Sequence, residues 1–184
     1  DDDRAFVANF PYRELVGSLL FIMICTRGDI AYAVHYLARF NSKPCKAACL
    51  AAKRVLTYLY NTRDRKLRLG GTSRPLLSLF CDTDFAGCLD SRKSMECFLL
   101  YFGHGCIMWQ AKQQTRVAQS TGEAEFCAVT PGVNQVVWVR HLLHELSVGY
   151  SRATAVYTDN NVARALMENP VHYTRMKQIG VIYF

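Results

Sequence analysis

No stretch of this 184-residue chain is apolar for long enough to cross a bilayer. The nearest approach, Leu15 to Cys25, is interrupted by Gly17 and Ser18 and falls short of the roughly 20 residues a spanning helix needs. The start, Asp1, Asp2 and Asp3, is the opposite of the basic opening of an export signal. Paired metal-binding cysteines are missing too. The eight cysteines form no Cys-x-x-Cys, and Cys45 and Cys49 have no Cys or His pair downstream to complete a zinc site. Scattered mostly through apolar runs, they read as reduced, buried thiols of an intracellular protein in cytoplasm or nucleus. Acids are in deficit, 15 against 22 lysines and arginines, for a formal charge of +7. That imbalance favours an anionic partner, of which nucleic acid is the commonest. A hydrophobic fraction of 51% excludes a disordered chain.

What is present divides in two. The first third reads as helical: Pro11 to Thr26 and Asp29 to Phe40 are apolar stretches separated by a turn at Thr26 to Asp29. Lys43 to Tyr60 places Ala48, Ala51, Ala52, Val55 and Leu59 on one helical face, with Lys46, Lys53 and Arg54 away from it. Charges and Gly70-Gly71 between Asn61 and Arg74 then break the pattern and mark a domain boundary. Beyond it the period changes. Leu76 to Cys81, Cys97 to Phe102 and Cys106 to Trp109 are strand-length apolar runs, the last two joined by Gly103, His104 and Gly105 as a hairpin. Ser120 to Glu123 is a capping box opening a helix, which Pro131 and Gly132 are expected to interrupt before it resumes from Val133 to Leu146. Thr154 to Thr158 is a fourth strand, and Asn160 to Met167 a short helix. Three strands, helix, strand, helix predicts an α/β layer around a mixed sheet.

Three acids stand where folding does not call for them. Asp82 is expected to end the first strand and Asp159 the fourth, and Glu125 lies in the first turns of the helix after the hairpin. If the two strands are parallel neighbours, their carboxyl ends bring Asp82 and Asp159 together, where sites in α/β sheets gather. A helix crossing the sheet then adds Glu125. Such a cluster repels itself unless hard cations bind, and two Mg²⁺ or Mn²⁺ ions about 4 Å apart can cleave a phosphodiester. Spacing leaves plainer roles open: Asp159 as a helix cap, Glu125 as a solvated helix residue, Asp82 or Asp84 as a turn former. Trp109 and Trp138 sit in apolar runs and are expected in the core. His104, in a turn, and His141 and His144, on a helix, carry no catalytic signal.

Several motifs in register narrow the choice. YRELVGSLL (12–20), TRGDIAYAV (26–34) and AKRVLTYL (52–59) are followed by DTDFAG (82–87), DSRKS (90–94) and STGEAEF (120–126). WVRHLL (138–143) and DNNVA (159–163) complete the series. Together they resemble the Pol polyprotein of copia-type retrotransposons, over the region that joins reverse transcriptase to ribonuclease H and most of the RNase H domain. The resemblance implies a helical reverse transcriptase connection segment over 1–70. Over 71–184 it implies an RNase H-like mixed sheet with helices, C-terminally incomplete for want of the final strand and helix. It further implies that Asp82, Glu125 and Asp159 are the catalytic metal ligands for Mg²⁺ or Mn²⁺, as part of a two-ion site with an incomplete ligand set. The activity implied is hydrolysis of RNA in RNA–DNA hybrids within a larger Pol polyprotein, in a cytoplasmic retroelement particle or the nucleus and with no membrane partner. Arg92, Lys93, Lys112 and Arg116 are the candidate phosphate contacts, and the run Arg63 to Arg68 serves equally well as a solvated loop. The sequence also departs from the pattern: KQIG at 177–180 stands where the family has KHID, Cys97 replaces a glycine, and Gly28 replaces a proline. A later, fourth carboxylate is expected to be missing. These departures predict an impaired nuclease or, in a different class, a non-catalytic nucleic-acid- or protein-binding remnant. No polymerase catalytic segment and no protease or integrase motif is seen.

Overall fold

A computed structural model describes residues 2–71, 76–88, 91–148 and 150–168. The motif at 177–180, the expected C-terminal incompleteness and part of the 61–74 break lie outside the described residues. The chain forms two compact units, Asp1–Leu67 and Arg68–Phe184.

The first unit is helical: α1 (Asp2–Ala8), α2 (Tyr12–Cys25), a 3-10 turn (Gly28–Ile30), α3 (Ala31–Ala38) and α4 (Lys46–Asn61). α4 begins three residues later than its apolar pattern suggests, because Pro44 disfavours helical backbone at Lys43 and Cys45 is the extended N-cap residue. Tyr12, Val16, Leu37, Ala48, Cys49 and Ala52 form its core. Inside that core the Tyr12 hydroxyl donates to the Leu37 carbonyl at 2.8 Å, which satisfies a buried polar group. Arg27 is also buried, and donates to both carboxylate oxygens of Asp29 and to the Thr62 hydroxyl and carbonyl, tying the 3-10 turn to the end of α4. No single described helix is long and apolar enough to cross a membrane; α1 and α2 reach that length only as a pair bent by 53°.

The second unit is mixed α/β, as expected. Strands β1 (Leu77–Asp84), β2 (Met95–Phe102), β3 (Gly105–Gln113) and β4 (Ala155–Tyr157) form one sheet in the order β3-β2-β1-β4. β1 runs antiparallel to β2 and parallel to β4. Helix α5 (Thr121–Glu145) packs on one face, where Val129, Val136, Val139 and Leu143 meet Leu77, Leu79, Cys81, Phe98 and Leu100. Helix α6 (Asn161–Glu168) follows β4. On the opposite face a row of cross-strand partners, Tyr157, Phe80, Leu99 and Trp109, runs across all four strands. Tyr157 stacks on Phe80 with ring centroids 4.7 Å apart, and Tyr157, Phe80 and Leu99 stay exposed.

Four expectations are corrected. Asp82 does not end β1 but is its sixth residue, because the polar segment Asp82 to Asp84 continues the ladder against Cys97 to Met95. Pro131 does not interrupt α5, which runs unbroken for 25 residues. Proline removes one backbone donor, and packing against the sheet offsets that loss. Trp138 is 53% exposed, since the buried stripe through Val136, Val139 and Leu143 leaves its position facing away. Two cysteines, Cys25 and Cys45, are exposed rather than buried.

Candidate metal centre

β1 is longer than β4. The parallel pairing stops at Phe80 with Tyr157, so Asp82 lies beyond it, and Asp159 follows two residues after the end of β4. The first turns of α5 come to this same point. Their start is fixed by Ser120, whose hydroxyl accepts from the Glu123 amide at 3.1 Å, while the Glu123 carboxylate accepts from the Gln119 amide at 2.8 Å. The box thus engages the amide one residue before the cap rather than that of the cap itself. Removing it with Ser120→Ala is expected to cost about 1 kcal/mol, measurable by chemical denaturation. The Ala124 carbonyl, one residue before Glu125, accepts from the buried Gln114 side chain at 2.9 Å and from the Thr83 hydroxyl at 3.4 Å. These two bonds hold the first turn of α5 against the sheet and aim Glu125 at the gap.

Asp82, Glu125 and Asp159 each offer a carboxylate oxygen, and these atoms lie within 4.8 Å of one another. Asp82 and Asp159 are exposed, whereas Glu125 is only 3% exposed. Asn160, not Asp159, caps α6, its side-chain oxygen accepting from the Ala163 amide at 3.1 Å. Asp84 stays outside the cluster, against the turn at Gly87. The Asp82 carboxylate accepts from the Thr83 amide at 2.8 Å. Burial, then the charges of Asp159 and Asp82, push the Glu125 carboxyl up to about 7, and its Oε2 is buried with no hydrogen-bond partner.

A buried carboxylate with an unpartnered oxygen, clustered with two further carboxylates, fits a hard divalent cation. Oxygen ligands of one Mg²⁺ stand about 3–4 Å apart, so the observed spacing needs little closure. The donor set, oxygen alone, also suits Mg²⁺ or Mn²⁺.

The four basic candidates separate. Lys112 and Arg116, both exposed, line a groove of about 560 Å³ beside α5 with Gln113, Gln114, Asn134 and Gln135. Arg92 is exposed in a left-handed turn at φ 53°, and it and the half-buried Lys93 lie outside both this groove and the carboxylate cluster. Sequence reasoning missed Gln114 and Thr83, whose roles depend on the register of β1 and on the end of β3. It also missed Ser94, wholly buried and accepting from the Ala86 amide at 3.1 Å, although Ser94 closes a recognised motif.

Comparison with known proteins gives the class. The chain is 40% identical over 182 residues to the retrovirus-related Pol polyprotein from transposon TNT 1-94 of Nicotiana tabacum, covering 99% of this chain and 14% of that protein. It is 37% identical over 172 residues to the corresponding polyprotein from transposon RE1 of Arabidopsis thaliana, covering 94% and 12%. The Secreted RxLR effector protein 161 of Plasmopara viticola is 37% identical over 131 residues, 71% of this chain and 92% of that protein. No protein-family model matches the chain, and no solved structure matches it. The chain belongs to the retrovirus-related Pol polyproteins of transposons, in keeping with its copia-type motifs, and spans only 14% and 12% of the two polyproteins compared.

Proposed function

We propose that this region of a retroelement Pol polyprotein is an RNase H-type centre that hydrolyses the RNA strand of RNA–DNA hybrids with Mg²⁺ or Mn²⁺. One observation carries the reading: carboxylates from β1, α5 and the segment just after β4 lie within 4.8 Å of one another, and Glu125 among them has a buried, unpartnered oxygen. Bound divalent ions supply a nucleophilic water at neutral pH and offset charge on the departing oxygen. Asp82 and Asp159 hold the ions from the exposed side, where a phosphodiester can approach, and Glu125 holds them from within the fold. The Thr83 amide fixes the orientation of Asp82. Lys112 and Arg116 contact phosphates of the duplex. The division into a connection segment over 1–70 and an RNase H-like domain over 71–184 belongs to the same proposal, as do the remaining Pol polyprotein as partner and an intracellular setting.

The test is cleavage of a labelled hybrid with Mg²⁺ or Mn²⁺. Given the departures at Cys97 and 177–180, slow metal-dependent cleavage is expected, falling at least about 100-fold in Asp82→Asn and Asp159→Asn. Cleavage that survives both substitutions, or none from folded protein, overturns the enzymatic reading. A second reading, a non-catalytic binding module, is favoured by the effector relative, nearly all of which matches this chain. It predicts binding to nucleic acid or protein that tolerates neutralisation of all three acids.

A further inference from the structure

Cys97 stands directly across the sheet from Asp82 as its cross-strand partner. Direct partners project from the same face with Cβ atoms about 5 Å apart. The Cys97 thiol now donates to the Asp82 backbone carbonyl at 3.4 Å. Asp82, Cys97 and Asp159 line one hollow of about 510 Å³. Glu125, whose Oε2 is buried and without a hydrogen-bond partner, is not among the residues lining this hollow, but it offers a carboxylate oxygen within 4.8 Å of those of Asp82 and Asp159. A cysteine side chain moves its sulfur by rotation about a single bond among staggered positions. The sulfur as it stands lies outside the carboxylate group, and one such rotation would free it from the carbonyl on the face it shares with the Asp82 side chain.

We infer that Cys97 is an additional ligand that gives the carboxylate centre a second, thiophilic mode, in which Zn²⁺ or a similar ion is held by Cys97 with Asp82, Asp159 and Glu125. The inference rests on the metal centre proposed above and goes beyond it in the identity of the ion. Mg²⁺ takes oxygen and ignores sulfur, whereas Zn²⁺ accepts thiolate and carboxylate together in a four-coordinate tetrahedron. On binding, the ion takes the thiolate and the thiol proton passes to solvent. Four protein ligands close the tetrahedron and leave no position for water, the arrangement of a structural rather than a catalytic zinc site. Zinc is therefore an inhibitor of the hydrolytic site, and the residue that makes it one is Cys97.

The experiment titrates the whole chain with Co²⁺, an absorbing stand-in for Zn²⁺, and with Mg²⁺ by calorimetry. The exposed thiols of Cys25 and Cys45 are competing ligands, so the starting protein carries Cys25→Ser and Cys45→Ser. A sulfur-to-cobalt charge-transfer band is expected in it and should vanish in Cys97→Ser. Zn²⁺ affinity should fall about 10–100-fold in Cys97→Ser while Mg²⁺ affinity is unchanged. Mg²⁺ binding with no thiolate band, or a band that survives Cys97→Ser, overturns the inference and leaves the carboxylate centre standing. Failure of every ion to bind the folded protein overturns both.

Discussion

In metal-free buffer the protein is expected to lose stability as the pH rises from about 4 to 8, and Glu125→Gln is expected to remove most of that loss. The Glu125 carboxyl is pushed up from 4.5 to about 7 by burial and by the charges of Asp159 and Asp82. The folded state therefore binds this proton more tightly than the unfolded chain does. Below about 4.5 both states are protonated and there is no cost. Between 4.5 and about 7 the unfolded chain releases its proton while the folded one retains it, so stability falls throughout that window. Above it the loss is complete, on the order of 3 kcal/mol. Glu96, also raised by burial, leaves a shallower slope of the same sign in the variant. Adding Mg²⁺ at pH 8 favours the ionised carboxylate and should restore much of the stability in wild type but not in Glu125→Gln. Urea denaturation across pH, with and without Mg²⁺, measures all of this. A wild-type profile as flat as that of Glu125→Gln would contradict the assigned strain.

The second large effect is expected at Gly132. A Cβ placed there would stand 2.8 Å from Leu79 Cδ1 and 3.2 Å from the Cys81 sulfur. Leu79 is completely buried, so its methyls have little room to retreat. Gly132→Ala combines this crowding with a gain in helix propensity of up to about 1 kcal/mol and should remain within about 1 kcal/mol of wild type. Gly132→Val adds two more methyls against the same wall and should destabilise by about 2–3 kcal/mol. Because Cys81 precedes Asp82, the valine variant should also weaken binding of Mn²⁺. Thermal denaturation separates the two variants, and an unchanged Gly132→Val would mean that α5 does not pack so closely on β1.

These two positions show what the sequence made legible. The three carboxylates stood out because acids at strand ends and in a helix's first turns are not required by packing, and the capping box located the start of α5. The succession of strands and helices and the mixed sheet followed from periodicity, whereas the strand order β3-β2-β1-β4 did not. The length of β1 did not, since Asp82 to Asp84 is polar and locally suits a turn. Only pairing with Met95 to Cys97 makes it strand. Pro131 reads as a helix breaker, yet the loss of one backbone donor is local while the packing of the surrounding 25-residue helix is not. Trp138 was misplaced because an apolar run does not say which of its members face the sheet. Cys97 and Asp82 are 15 residues apart in sequence, and only the register of β1 against β2 makes them neighbours.

The most direct test of the central claim is calorimetric titration of Mn²⁺ into the wild-type chain and into Asp82→Asn, Glu125→Gln and Asp159→Asn. Saturable binding to wild type, weakened at least about 10-fold by each substitution in a folded protein, is the predicted result. Equal binding to all four proteins would place the ion elsewhere and contradict the account.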